Sequence, residues 1–233
     1  DRHRDQHAAL SPVMSLDVLA HLKALSAAAG LSGYEGPAAD VIRPAWSARA
    51  DELHEDRLGT LSAVRHGHGP APRPRLMLAA HMDAIGMLVT RREGEFLRVS
   101  NLGGIDPRVL PGQLVTVHGR QDIPGLIVAP PSFLLPKARR ENVVPLAELL
   151  VDTGLTAGQL AKRVSVGDLV SFAQPPVELL NEHIAAKSLD NRASVAALTV
   201  CLDMLQDRPH AWDVFAVATV QEEVGLRGAS TST

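Results

Sequence analysis

The stretch Val214–Gly228, VFAVATVQEEVGLRG, decides how the rest of the chain is interpreted. It begins as an apolar run of strand length and ends in two adjacent carboxylates, Glu222 and Glu223. Such a run predicts a buried strand. Because two neighbouring carboxylates at the end of a buried strand repel each other and lose hydration, a positive charge is needed nearby to offset the cost.

A second apolar run, RLMLAA, is followed directly by His81 and Asp83, and Asp190 opens the helical pattern LDNRASVAALTVCLDMLQD. The outer parts of the chain therefore alternate helix and strand, which is typical of an α/β layered sheet. Ligands of such sheets bind outside the carboxyl ends of the strands. We expect these side chains and the two glutamates to converge at one edge.

Other local patterns refine the α/β prediction. Apolar spacing from Val13 to Leu25 predicts a helix that stops before Gly30, and a second helix is expected to be kinked or to begin again at Pro44. GTLSAVRHG is interpreted as a strand. RLMLAA is expected to be covered on both faces, because its apolar residues are continuous rather than alternating.

The middle of the chain has a different texture. The runs IGMLVTRR, EFLRVS, QLVTVHG, PGLIVAP and DLVSF are short, rich in β-formers and separated by turn residues, with one short helical pattern, TAGQLAKRV. This predicts a small β-barrel or sandwich. We therefore expect a flexible tail at 1–12, an α/β domain formed by 13–86 and 175–233, and an inserted β-barrel-like domain at 87–174.

Composition excludes several classes of partner. The net charge is −3, from 23 basic and 26 acidic residues of mixed order, and no basic stripe predicts nucleic-acid binding. No apolar run reaches the roughly 18–20 residues that cross a bilayer, so no membrane partner is expected. The single cysteine, Cys201, fits a reducing compartment and predicts a cytoplasmic location.

One imidazole and several carboxylates form a ligand set that suits Zn²⁺, Co²⁺ or Mn²⁺. Two such ions about 3.5–4 Å apart, sharing a carboxylate and a water, form a hydrolytic centre. Each residue alone has a simpler interpretation, with His81 on the surface, Asp190 as a helix N-cap and the glutamates at a solvated helix start. Their joint occurrence behind apolar strands favours the metal centre.

Five motifs together resemble the M42 family of metallo-aminopeptidases, which includes glutamyl and tetrahedral aminopeptidases. They are HMDAIG, GGIDPRVLPGQLVTVHG, SVGDLVSF, AAKSLDNRAS and VQEEVGLRGA, and the similarity runs from about Leu16 to Ala229. The resemblance implies a co-catalytic zinc-peptidase-like layered sheet with an inserted small β-barrel domain. It also implies short peptide substrates, trimmed from a free N-terminus, and assembly into dimers or twelve-subunit shells.

The resemblance also implies a role for each candidate residue. His81 would bind one of two divalent ions per subunit (Zn²⁺, Co²⁺ or Mn²⁺), Asp190 would bridge both, and Glu223 would bind the other. Asp83 would orient His81, and Glu222 would be the general base. The expected activity is metal-dependent removal of N-terminal residues from peptides.

The sequence departs from the family pattern at several places, and two of them concern the metal site. Ala84 stands where members usually carry an acidic residue, and the chain is expected to lack the C-terminal third, which supplies the fourth and fifth metal ligands. His183 is expected at the surface rather than in a replacement site. Two alternatives therefore stay open: a metal-dependent deacylase of small amino-acid derivatives, and a non-catalytic assembly subunit.

Overall fold

The computed structural model describes residues 15–232, so the predicted tail at 1–12 lies outside the described residues. Its α-helices are α1 Val18–Ala27, α2 Gly36–Ser47, α3 Ala157–Arg163, α4 Leu189–Leu205 and α5 Arg227–Thr231. Its strands are β1 Glu52–Glu55, β2 Leu61–Arg65, β3 Arg75–His81, β4 Gly86–Glu93, β5 Phe96–Leu102, β6 Leu114–His118, β7 Asp122–Val128, β8 Leu150–Asp152, β9 Leu169–Phe172, β10 Val177–Glu178, β11 Ile184–Ala185 and β12 Asp213–Thr219.

Four strands form an open sheet in the order β1-β2-β12-β3. Strands β12 and β3 are parallel, and their register pairs Thr219 with His81, whereas the other pairs of this sheet are antiparallel. Because parallel strands end at the same edge, the loop that follows β12 and the residues that follow β3 lie side by side. This edge carries the candidate site.

Helices α1, α2 and α4 cover one face of the sheet. Helix α4 packs on β3, α1 packs on α4, and α2 packs on β1 and β2. The indole Nε1 of the fully buried Trp46 donates to the Thr199 hydroxyl at 2.9 Å, which joins α2 to α4. The core between helices and sheet is apolar and includes Leu25, Ile42, Trp46, Leu61, Ala80, Met82, Val195, Leu202 and Ala218.

The remaining long strands close into a barrel in the order β4-β5-β8-β7-β6-β9. Alternate residues of these strands point inward, as Val115 and Val117 do in β6, and form a separate apolar core. Helix α3 lies between β8 and β9 in the chain, where TAGQLAKRV predicts a helix. The structure thus confirms an α/β fold that carries a small β-barrel.

Two local predictions are wrong. Leu76 and Met77 of β3 are 42% and 44% exposed, because β3 lies at the edge of the sheet formed by the described residues and only its carboxyl end is covered. Helix α2 continues through Pro44 instead of beginning again there. Pro44 is exposed, whereas Ile42 and Trp46 are fully buried, so packing on both sides of the proline holds the last turn in place.

Candidate metal centre

His81, the last residue of β3, is 7% exposed, so it is not a surface histidine. Its Nε2 lies 3.2 Å from an Asp190 carboxylate oxygen and 3.7 Å from Glu222 Oε2. Its Nδ1 lies 3.3 Å from Asp83 Oδ1. One ring nitrogen therefore faces the buried carboxylate while the other faces the candidate ligands.

Three side chains form a compact ligand group. His81, Glu222 and Glu223 each offer one ligand atom, and these atoms lie within 4.8 Å of one another. Within residues 15–232, this is the trio of His, Cys, Asp or Glu side chains that meets that spacing. The Asp190 side chain contacts His81 from the start of α4 but is 90% exposed and stands outside the trio.

Asp83 holds this group in place through contacts with His81 and with the backbone of both glutamates. It is fully buried, and its carboxylate accepts hydrogen bonds from the Ser32 hydroxyl at 2.6 Å and from the backbone amides of Glu222 and Glu223 at 3.0 and 3.1 Å. Burial alone raises the pKa of Asp83, but these bonds and the contact with His81 outweigh burial and hold the pKa below its ordinary value. Asp83 thus fixes both the imidazole and the loop between β12 and α5, residues 220–226, which carries Glu222 and Glu223 and is called the glutamate loop below.

The charges around His81 favour a cation. Burial lowers the pKa of His81, but Asp83, Glu222 and Asp190 outweigh burial and raise the pKa to about 9. Burial also raises the pKa of Glu223; the His81 charge opposes this rise, and the neighbouring carboxylates add to it. A divalent cation in place of the imidazole proton would offset the repulsion between the carboxylates, and the imidazole and carboxylate donors suit Zn²⁺, Co²⁺ or Mn²⁺.

Sequence analysis missed Glu35, which lies in the turn between α1 and α2 and is 6% exposed. Its Oε1 accepts from the backbone amides of Gly33 at 2.7 Å and Gln221 at 3.0 Å. Ser32, in the same turn, was also missed as a partner of Asp83. The segment SGYEG signals only a turn, because the contact with the glutamate loop is tertiary.

Arg192 is the third missed residue, although it lies in the motif AAKSLDNRAS. It is fully buried, and its guanidinium donates to five backbone carbonyls. These carbonyls belong to Leu25, Ala28, Ala29, Gly30 and Met82. Burial lowers the pKa of Arg192 to about 10, with the Asp83 charge opposing. Arg192 therefore ties the end of α1 and the end of β3 to the start of α4.

Most of the chain, including the candidate ligand residues, matches the model of one known family. The family model described as M42 glutamyl aminopeptidase matches residues 59–233. The chain belongs to the M42 peptidase family. The match includes His81, Asp83, Asp190 and both glutamates of the loop, and it confirms the membership that the motifs predict.

Individual M42 relatives agree with the family match. The glutamyl aminopeptidase of Lactococcus lactis is 31% identical over 229 residues, which are 94% of this chain and 63% of the relative. A TET aminopeptidase structure from a marine sediment Thaumarchaeota archaeon superposes with a TM-score of 0.87 at 32% identity, covering 92% of this chain and 62% of that one.

The Pyrococcus horikoshii TET1 peptidase, described as able to assemble into a tetrahedron or a large octahedral shell, superposes with a TM-score of 0.81 at 31% identity. That match covers 92% of this chain and 64% of the relative. The M42 chain described here thus spans between 62% and 64% of the length of these three relatives. Across residues 15–232, every helix is too short or too polar to cross a membrane.

Proposed function

We propose that the protein is a metal-dependent aminopeptidase that removes N-terminal residues from short peptides. The observation that carries the proposal is the trio formed by His81, Glu222 and Glu223 at two neighbouring strand ends of an M42 chain. Glutamyl aminopeptidase and TET aminopeptidase relatives support peptides with a free amine as substrates.

Two divalent cations per subunit, Zn²⁺, Co²⁺ or Mn²⁺, are the proposed cofactors. His81 and Glu223 would each hold one of them, and Asp190, next to His81 and open to solvent, would bridge both. When bound, such cations polarise the scissile carbonyl and lower the pKa of water. Further ligands are proposed to lie in the part of the family length that this chain does not span.

Glu222 is the proposed general base. Its side chain is 36% exposed, so it can meet a water or a substrate, while its backbone is fixed by the amide bond to Asp83. It would take the proton of the attacking water and deliver it to the leaving amine. Asp83, buried beneath it, would keep His81 oriented and the loop in place.

The architecture we propose is a co-catalytic zinc-peptidase-like layer formed by 13–86 and 175–233, with 87–174 as the inserted barrel domain and 1–12 as a tail. We also propose a homo-oligomer, a dimer or a twelve-subunit shell, acting in the cytoplasm. The tetrahedral and octahedral shells of the Pyrococcus horikoshii relative support the oligomer. No nucleic acid or membrane partner is proposed.

Glu222→Gln tests the proposal in the metal-loaded protein. Loss of the proton acceptor is expected to lower turnover of a free-amine peptide by about 10²–10⁴-fold, with bound metal retained. Glu95→Gln, in the exposed turn between β4 and β5, is the matched control and should keep full turnover.

The same assay, run also with an N-acetylated form of the peptide, separates the alternatives. Unchanged turnover in Glu222→Gln contradicts the proposed role of Glu222. Faster hydrolysis of the N-acetylated peptide than of the free-amine peptide would show a deacylase. A wild-type protein that binds metal but hydrolyses neither substrate would show a non-catalytic subunit.

A further inference from the structure

Three successive backbone amides of the glutamate loop donate to carboxylates rather than to carbonyls. The amide of Gln221 donates to Glu35 at 3.0 Å, and the amides of Glu222 and Glu223 donate to the two oxygens of Asp83 at 3.0 and 3.1 Å. The two acceptors come from different segments of the chain. Together they form a cradle of two carboxylates beneath the loop.

The loop needs such a cradle because its backbone is strained. Gln221 has φ 55°, in the left-handed region, which is unfavourable for a residue other than glycine. In this conformation the Gln221 amide faces Glu35 and the next two amides face Asp83. Without an acceptor at Glu35, the Gln221 amide loses its partner, while the Asp83 bonds to the next two amides and the bond from the Arg227 amide to the Gln221 carbonyl at 3.3 Å remain. We therefore expect Gln221 to leave its positive φ more often, which would rotate the peptides that carry both glutamates.

Placing Glu35 there is costly in itself. Burial raises the pKa of Glu35, the amide bonds from Gly33 and Gln221 oppose this rise, and the nearby Asp83 charge adds to it. An apolar side chain would fill the same space without this cost. A side-chain oxygen at this buried position is explained if the loop amide must be held by an acceptor.

We propose that Glu35 is a positioning residue that sets the backbone of Gln221 and thereby aims the carboxylates of Glu222 and Glu223 at His81. The inference rests on the proposed function for its effect on metal binding, but its effect on the loop stands apart from that function. Glu35 contacts the loop backbone and not the ligand atoms, so it acts through Gln221.

The first test measures metal affinity by calorimetric titration with Zn²⁺. Glu35→Ala removes the acceptor and is expected to raise the dissociation constant for Zn²⁺ about 10–100-fold, the usual effect of losing a group that supports a metal ligand. Glu35→Gln keeps a side-chain oxygen for the Gln221 amide and should stay close to wild type. Glu35→Asp shortens the side chain by one methylene and should also weaken zinc binding. It replaces Glu35→Ala in the test if Glu35→Ala does not fold.

Asp213→Ala is the matched control. Asp213 lies at the opposite end of β12, where its carboxylate accepts from the Gly67 amide at 2.8 Å and from Arg73. Its loss should lower stability without changing zinc affinity. Wild-type affinity in Glu35→Ala, or an equal loss of affinity in Asp213→Ala, would overturn the proposal.

Hydrogen exchange of the peptide that covers 214–228 gives the second test, which needs no metal. Glu35→Ala should accelerate amide exchange in this peptide, whereas Glu35→Gln and Asp213→Ala should protect the 221–223 amides as wild type does. Unchanged exchange in Glu35→Ala overturns the proposal. If wild type binds no zinc but exchange still accelerates in Glu35→Ala, the proposed function fails while the positioning role stands.

Discussion

The two cores of the molecule differ in what they bury. The barrel core consists of apolar side chains, such as Leu97, Ile127 and Val170. The α/β layer buries charged or ionisable groups as well, among them Glu35, His81, Asp83 and Arg192. Of the buried polar residues in the described part of the chain, only Ser171 belongs to a barrel strand. Buried charge therefore marks the half that carries the site.

The difference shows that the α/β layer, which carries the candidate site, buries groups whose burial lowers stability. Apolar burial is sufficient for a small barrel, whereas each buried charge in the α/β layer requires partners to offset lost hydration. Those partners are the hydrogen bonds around Asp83, Glu35 and Arg192. The barrel still borders the site at Gly103, φ 85°, where an added Cβ would lie 3.2 Å from the Glu223 Cβ.

The largest effect is expected for Arg192→Met. This change leaves carbonyls in the last turn of α1, in the segment that follows α1 and at Met82 after β3 without their donor, so the free energy of unfolding should fall by about 3–5 kcal/mol, and zinc affinity should weaken with it. Urea unfolding and zinc titration measure the two effects. Arg108→Met on the exposed barrel surface is the control and should change neither. A loss confined to Arg108→Met would reverse the comparison.

A smaller effect is expected in the barrel core. Ile127→Val removes one methylene from a fully buried side chain and should lower the free energy of unfolding by about 0.5–1.5 kcal/mol. Zinc affinity should not change, because Ile127 packs only within the barrel core. If this variant weakened zinc binding as Arg192→Met does, the two cores would not be functionally separate.

The last effect concerns pH and is measured as a slope of stability against pH. Burial, with the Arg192 charge, lowers the pKa of Lys187 to about 8, and its ammonium donates to the Ala28 carbonyl at 2.9 Å. An unfolded lysine titrates near about 10.4, so between these values the unfolded chain binds more protons and folding stability should rise with pH.

Lys187→Met should abolish that rise. Urea unfolding of wild type and variant at the two ends of this pH window measures the difference, and titrations elsewhere cancel in the comparison. Lys162→Met, an exposed change on α3, should keep the wild-type slope. Equal pH slopes in wild type and Lys187→Met would show that burial of Lys187 does not weaken its charged form.

The sequence predicts the strand ends that carry His81 and Glu222 because apolar runs there stop abruptly at polar residues. The sequence also predicts the barrel, since its short runs of β-forming residues are separated by turn residues. The exposure of Leu76 and Met77 was predicted wrongly, because hydropathy does not reveal which strand lies at the edge of a sheet.

The roles of Glu35 and Arg192 were not predicted from the sequence, for a different reason. Glu35 reaches the Gln221 amide across 186 positions of the chain, and no local pattern encodes that contact. A charged residue such as Arg192 is ordinarily assigned to the surface, so its burial against five carbonyls becomes evident only in three dimensions. The ligands of a site can be predicted from strand ends, whereas the groups that hold them depend on tertiary contacts.

Native mass spectrometry of wild type and His81→Ala, purified without chelator, shows whether a metal is bound through His81. The account predicts divalent metal bound to wild type and lost in His81→Ala, with Glu95→Gln retaining the wild-type metal content. A wild-type protein without metal, or a His81→Ala variant that keeps its metal, would contradict a metal centre at the β3–β12 edge.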